Sequence, residues 1–197
     1  MAACGIIGLF SAAFAGGAAA ERPKPSVLFI GASETVGYGL RTSALAFPHL
    51  VERRCGITAR LSATPNVPSL LRNPRIPVGT AAIVITLSFI DASVPAPLGA
   101  VRTWLRRYTN AAPTLVMTAP TVTSLGLHAP TLAGMQRELY RRVGAAARTL
   151  HATLLPIGVP KDPVRYLQPD GMHPNERGER YIARRVLSWL RQQRFCA

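Results

Sequence analysis

Acidic residues are scarce in this 197-residue chain: nine Asp and Glu stand against 23 Lys and Arg, a formal net charge of +14. With only four histidines beside them, these carboxylates form no cluster at metal-ligand spacing, so neither a metal nor another cofactor is expected. Cysteine is scarcer still. Cys4 lies in the N-terminal segment, and Cys55 and Cys196 stand apart from one another, so zinc-ribbon and Cys-x-x-Cys redox motifs are excluded. The charge is carried by arginine, as in Arg53-Arg54, Arg106-Arg107, Arg141-Arg142 and Arg184-Arg185, without interleaved aromatics or a nucleic-acid motif. Such basicity reads first as a solvated basic surface; it also implies attraction to anionic surfaces such as membrane headgroups, envelope polymers or, nonspecifically, nucleic acid. There is no internal repeat, and no low-complexity tract beyond the Ala/Gly-rich start.

Charge is absent altogether from Met1 to Ala20, which ends in Ala18-Ala19-Ala20 before Glu21. This small-x-small ending reads as a secretory cleavage site, with a membrane anchor as the alternative for residues 1–20. The apolar residues after Ala2-Ala3-Cys4 do not suit a lipoprotein tether. The expectation is one mature domain, 21–197, exported to the periplasm or secreted, and monomeric. In an oxidising compartment the two cysteines left after cleavage invite a disulfide.

What is present is an alternation of apolar, β-branched runs with helical stretches, the pattern of a parallel sheet with crossover helices. Strands are expected at Ser26–Ile30, Ile57–Leu61, Ala81–Leu87, Thr114–Thr118 and Thr153–Leu155. The run Ala82-Ile83-Val84-Ile85 suits a central strand buried on both faces. Helices are expected at Ala44–Arg54, Leu98–Asn110, Thr131–His151 and Asn175–Gln193, with a short turn near Pro68–Arg72. The last is the clearest, with Pro174 before it, Asn175 as N-cap and an apolar stripe of Tyr181, Ile182, Val186, Trp189 and Leu190. The loops Thr121–Pro130 and Gly158–Pro169 follow strands, where an open parallel sheet places its ligand site.

Two segments carry chemistry. Ser33 follows the first strand within Gly31-Ala32-Ser33, with Gly37 and Gly39 close behind; small residues there let the backbone turn sharply and a carbonyl approach the hydroxyl. Far along the chain, Asp170 and His173 are three apart in a Gly-containing turn, so the carboxylate can fix the imidazole tautomer and leave the other nitrogen free as a base. Taken singly, Ser33 also reads as a helix cap and Asp170 as a turn residue; together they read as a nucleophile, a base and an orienting acid. His49, His128 and His151 read as surface or capping residues, and Tyr38 and Phe89 as candidates to line an acyl pocket, with core packing the first reading for Phe89.

The segment VLFIGASETVGYGL, Val27 to Leu40, resembles the first block of the SGNH/GDSL hydrolases, which reads GDSL followed by a similar Gly-Tyr-Gly, especially in the small secreted esterase and lysophospholipase group. DGMHPNERGERYIA, Asp170 to Ala183, resembles that family's last block. The resemblance spans Ser26 to Leu190 and implies a flavodoxin-like three-layer α/β/α sandwich with five parallel strands, and esterase activity on lipids, acylated sugars or small acyl esters. Ser33 would be nucleophile, His173 general base and Asp170 its orienting carboxylate. The oxyanion hole would draw on the Ser33 N–H, on Ala63 in place of the family's glycine, and on a third block at Leu87-Ser88-Phe89-Ile90-Asp91. There Ile90 occupies the family's asparagine position and cannot donate a hydrogen bond, which leaves the Ser88 hydroxyl as the substitute. Ala32 likewise replaces the block's aspartate. In the implied topology the first and last long helices pack on one sheet face and end opposite the active site, so Cys55 and Cys196 are expected to be neighbours and to bridge. Two other functions are open: an inactive envelope protein binding anionic lipid or polymer, and a glycan O-acetylesterase or acetyltransferase.

Overall fold

Five apolar segments pair side by side as a single parallel sheet in the order β2-β1-β3-β4-β5 in the computed structural model, which describes residues 23–120, 129–158 and 162–196. The strands are β1 (Ser26–Gly31), β2 (Thr58–Ala63), β3 (Thr80–Leu87), β4 (Thr114–Thr118) and β5 (Thr153–Pro156). Between them run helices α1 (Ser33–Val36), α2 (Phe47–Cys55), α3 (Leu98–Thr109) and α4 (Pro130–Thr149), and α5 (Glu176–Gln192) follows the last strand. This is the expected flavodoxin-like α/β sandwich.

Successive strand residues face opposite sides, and here both sides are apolar. Val27 and Phe29 of β1, Ala82 and Val84 of β3, and Leu115 and Met117 of β4 pack beneath α2 and α5. Leu28, Ile30, Ile83, Ile85 and Val116 point the other way, into the layer formed by α3 and α4. Two cores therefore share one sheet, and β1 and β3 at its centre are sealed on both faces.

Element boundaries depart from the expected ones in places with physical causes. The helix expected over Ala44–Arg54 is broken: a 3₁₀ turn at Ser43–Leu45 gives way to extended backbone at Ala46, and α2 begins only at Phe47 with Pro48 in its first turn. β2 starts at Thr58 rather than Ile57 and runs on to Ala63, in register with Gly31 at the end of β1. The four-residue α1 is the strand-to-helix turn that the cap reading of Ser33 implied, with Ala32 rather than Ser33 at the N-cap; it carries the turn directly out of β1 and ends at Gly37, whose φ of 71° is left-handed. The N-terminal segment 1–20 lies outside the described residues, and no described helix is long and apolar enough to cross a membrane.

Cys55 at the end of α2 and Cys196 beyond α5 are joined by a disulfide, with Cα atoms 4.8 Å apart. The bond closes a sequence separation of 141 residues, which in the chain-entropy model stabilises by roughly 5 kcal/mol. Replacing both cysteines by alanine is therefore expected to lower unfolding free energy by several kcal/mol in denaturant titration, with little effect on a site at the other end of the sheet.

Candidate active site

The parallel strands end together. The chain leaves β1 for β2 on one side and then returns to β3 on the other, so β1 and β3 flank the point where strand order reverses and an open sheet forms a crevice. Ser33 sits there, two residues beyond Gly31. The turn tolerates no larger residue at that glycine, because a Cβ would run into the Thr35 side chain.

The turn carrying His173 is built from its own sequence. Gly171 takes a φ of 69°, and Asp170 Oδ1 accepts from the Met172 and His173 amides at 2.9 and 3.0 Å. Asn175 fixes the start of α5: its Oδ1 accepts from the Arg177 and Gly178 amides, while its Nδ2 donates to the carbonyls of Arg165 and Leu167. Gly178 is required for this closeness, since a Cβ there would overlap the Tyr166 carbonyl. Replacing Asn175 by alanine should cost about 1–2 kcal/mol in chemical denaturation and loosen the His173 turn.

Ser33, His173 and Asp170 meet. His173 Nε2 lies 3.0 Å from Ser33 Oγ, and His173 Nδ1 lies 2.6 Å from Asp170 Oδ2. Asp170 already accepts two amide hydrogens; partial burial pushes its carboxyl up, but these amides and the imidazole hold it below the usual aspartate value. An ionised Asp170 makes Nδ1 the protonated nitrogen, so Nε2 presents a lone pair to the serine hydroxyl. The arrangement can remove the Ser33 proton while the hydroxyl oxygen attacks a carbonyl carbon.

Gln168 joins the two halves. Its amide donates to the carbonyls of Tyr38 and Pro174, and its backbone N–H donates to the His173 carbonyl at 2.8 Å. This explains Gly39, where a Cβ would overlap the Gln168 carboxamide and φ is 74°. Tyr38 stacks at a tilt on the His173 ring, with centroids 4.8 Å apart, and is half exposed; it covers the imidazole rather than lining the cavity beside it.

That cavity is apolar, with a volume of ≈ 80 Å³, and opens beside Ser33 and His173. Phe89, Pro120, Ile157, Met172 and Tyr181 line it, together with Ser88. Ala63 ends β2 beside Gly31. Ser88 is buried, and both its N–H and its hydroxyl are directed at Asp91 Oδ2, at 2.9 and 3.5 Å, so its hydroxyl is engaged rather than poised as a donor. Ile90 is half-buried within the 3₁₀ turn Phe89–Ser93, where its carbonyl accepts from Ser93 Oγ. His49 contacts Glu52, and His151 is exposed at the end of α4; His128 and the loop 121–128 lie outside the described residues. Among the described residues no group of His, Cys, Asp and Glu is placed to hold a metal.

Three carboxyls lie buried behind the site. Asp91 accepts from the Leu70 and Ser88 amides, which ties the β2–β3 connection to the end of β3; burial raises its pKa to about 6. Glu179 of α5 accepts from the Phe47 amide at 2.8 Å, capping α2 from a neighbouring helix, and burial holds its carboxyl well above the usual range. Glu34 is 7% exposed, 3.3 Å from Ser33 Oγ, and burial together with the charge of Asp91 raises its pKa to about 7. None of the three was singled out from sequence, although the resemblance carried a signal for Glu34: the GDSL block has leucine there, so an inward-facing side chain was implied.

Each of these acids binds its proton more tightly folded than unfolded. For Asp91 and Glu34 the resulting stabilisation is complete below the unfolded values near pH 4 and is lost as pH rises through about 6 to 7. Glu34 alone accounts for about 3 kcal/mol. The thermal midpoint should therefore fall by about 5–10 °C between pH 5 and pH 8, and a midpoint that rises over that interval would contradict the assignment of these acids as neutral.

No protein-family model and no curated protein sequence matches the chain. Solved structures do. A family two carbohydrate esterase from Clostridium thermocellum, in complex with cellohexaose, aligns at a TM-score of 0.63 and 17% identity, over 89% of this chain and 66% of that one. A member of the lipolytic protein G-D-S-L family from Veillonella parvula aligns at 0.59 and 15%, over 83% and 96%. The fold is that of the SGNH/GDSL hydrolases. A two-domain esterase active on acetylated mannans also carries this SGNH fold, at a TM-score of 0.63 and 16% identity, over 86% of this chain and 49% of that one. The chain thus spans just under two thirds of the carbohydrate esterase and about half of the mannan esterase.

Proposed function

We propose that the chain is a serine esterase that cleaves short acyl esters through an acyl-enzyme, with Ser33 as nucleophile, His173 as general base and then general acid, and Asp170 orienting the imidazole. The observation that carries this reading is the continuous hydrogen-bonded relay from Asp170 Oδ2 through both nitrogens of His173 to Ser33 Oγ, at 2.6 and 3.0 Å. Its position at the carboxyl ends of the central strands supports it, as does the esterase activity of proteins that share the fold. In the first step the Ser33 proton passes to His173 Nε2 as Oγ bonds to the acyl carbon. The protonated imidazole then gives that proton to the departing alcohol, and water repeats the sequence to release the acid.

Backbone N–H groups of Ser33 and Ala63 are the proposed oxyanion donors. A third, from a side chain, is missing at Ile90, and Ser88 is engaged with Asp91. Loss of one such donor costs about 10²- to 10³-fold, so turnover should be slow rather than absent. The small apolar cavity favours acyl groups of a few carbons over long chains.

A polar recess lined by Arg165, Arg177, Arg180 and Arg184 shares Tyr166 with the apolar cavity. This basic recess favours an alcohol portion that carries negative charge, as in an acylated anionic envelope glycan. An exported location accords with the disulfide, and a monomeric state completes the proposal. The recess is also what favours the second reading, a protein that binds anionic polymer without turnover.

Labelling with a fluorophosphonate separates the two. The wild-type chain should label on the peptide containing Ser33, and Ser33→Ala should not. Absence of label on both, with the fold intact, would leave the binding reading.

A further inference from the structure

The Ser33 hydroxyl has one hydrogen and two neighbours competing for it: His173 Nε2 at 3.0 Å and Glu34 Oε2 at 3.3 Å. Attack requires that hydrogen to lie toward His173. We propose that Glu34 works as a neutral carboxylic acid whose O–H donates to Ser33 Oγ and thereby turns the serine's own hydrogen toward His173. The inference rests on the esterase reading and assigns a further residue to that site.

Burial favours the acid form of Glu34 over the anion and outweighs the hydrogen bonds from the Glu34 and Ala32 backbone and from Ser33, which favour the anion. Its Oε1 is buried without a hydrogen-bond partner, and no ion pair to Glu34 occurs among the described residues. The groups that face it are Asp91 from the turn after β3, Glu179 from α5, Tyr140 from α4, and Ser33 and His173 of the relay. Of these, Asp91 carries the charge that repels one on Glu34, and burial with that charge raises the Glu34 pKa to about 7. A carboxylic acid kept neutral by its surroundings can serve a reaction as a hydrogen-bond donor.

Ionised, the same group does the opposite. A carboxylate can only accept, so it draws the serine hydrogen away from His173 and places negative charge beside the atoms where oxyanion charge develops. In the working form the Glu34 proton never leaves Glu34. The Ser33 proton goes to His173, Oγ bonds to the acyl carbon, and the carbonyl electron pair moves to its oxygen. The alcohol leaves with the proton from His173; water then gives a proton to His173 as its oxygen bonds to the acyl carbon, the Oγ–acyl bond breaks, Oγ takes that proton from His173, and the Glu34 O–H donates a hydrogen bond to the departing Oγ.

The test is the pH dependence of fluorophosphonate labelling and of kcat/KM for a short acyl ester, measured on wild type, Glu34→Gln and Glu34→Leu from pH 5 to 9, with thermal unfolding followed alongside. Wild type should lose activity above about pH 7, approaching tenfold per pH unit. Glu34→Gln keeps a donor and cannot ionise; it should lose the alkaline limb and retain at least tenfold more acid-side rate than Glu34→Leu. If Glu34→Leu does not fold, the profiles of wild type and Glu34→Gln decide alone. An alkaline limb that survives in Glu34→Gln, or a wild-type rate that stays level from pH 7 to 9, overturns the inference while leaving Ser33 as nucleophile. No labelling of Ser33 at any pH overturns the esterase reading, and this inference with it.

Discussion

Replacing Ser33 by alanine is expected to lower ester hydrolysis by about 10⁴- to 10⁶-fold while leaving the fold intact. The hydroxyl is the attacking atom in the proposed reaction, and no other described nucleophile lies within hydrogen-bond reach of His173 Nε2. Alanine fits the site, since Ser33 is buried in a turn whose geometry is set by Gly31, Thr35 and Gly37. Kinetics with a chromogenic short acyl ester, beside a thermal melt, separate loss of chemistry from loss of fold. A variant retaining a tenth of wild-type turnover would mean that the observed hydrolysis arises elsewhere.

Asp170→Asn should cost about 10⁴-fold in kcat with only a small change in stability. The asparagine Oδ1 can still accept from the Met172 and His173 amides, so the turn survives. Its NH₂ then faces His173 Nδ1 as a donor, which forces Nδ1 to accept and puts the imidazole hydrogen on Nε2, pointing at Ser33. In that tautomer the base is blocked. Asp170→Ala differs, because it also removes the acceptor for both amides and should lower the melting temperature. Equal kcat for Asp170→Asn and wild type would show that Asp170 is a turn residue and nothing more.

The sheet and both end blocks were legible because they depend on local pattern. Continuous apolar runs in β1 and β3 specify strands sealed on two faces, and the Asp170–Asn175 turn carries its capping chemistry within six residues. The disulfide followed from topology once the order of elements was inferred from the resemblance, since α2 and α5 share a face and end together. What stayed hidden are contacts between residues remote in sequence. Gln168 is an unremarked glutamine until the fold brings Tyr38, 130 positions away, against its amide. Glu179 sits in a charged stretch of α5 and reads as solvated, yet it caps α2 from 132 positions away. Glu34 has the plainest neighbourhood of all, but a carboxyl is ordinarily assigned to the surface, and only the packing of Asp91 and Glu179 behind it fixes its buried state.

The proposed lack of a side-chain oxyanion donor at Ile90 bears on rate, not on the identity of the nucleophile. Slow deacylation would make the acyl-enzyme easier to trap. The direct measurement is therefore rapid quenching of the wild-type chain with a short acyl ester at mildly acidic pH, followed by mass spectrometry of the digested protein. An acyl group on the peptide containing Ser33, absent from Ser33→Ala, is the predicted result. Ester turnover with no adduct on Ser33, or an adduct on another residue that persists in Ser33→Ala, would contradict the assignment of Ser33, His173 and Asp170 as the hydrolytic machinery of this fold.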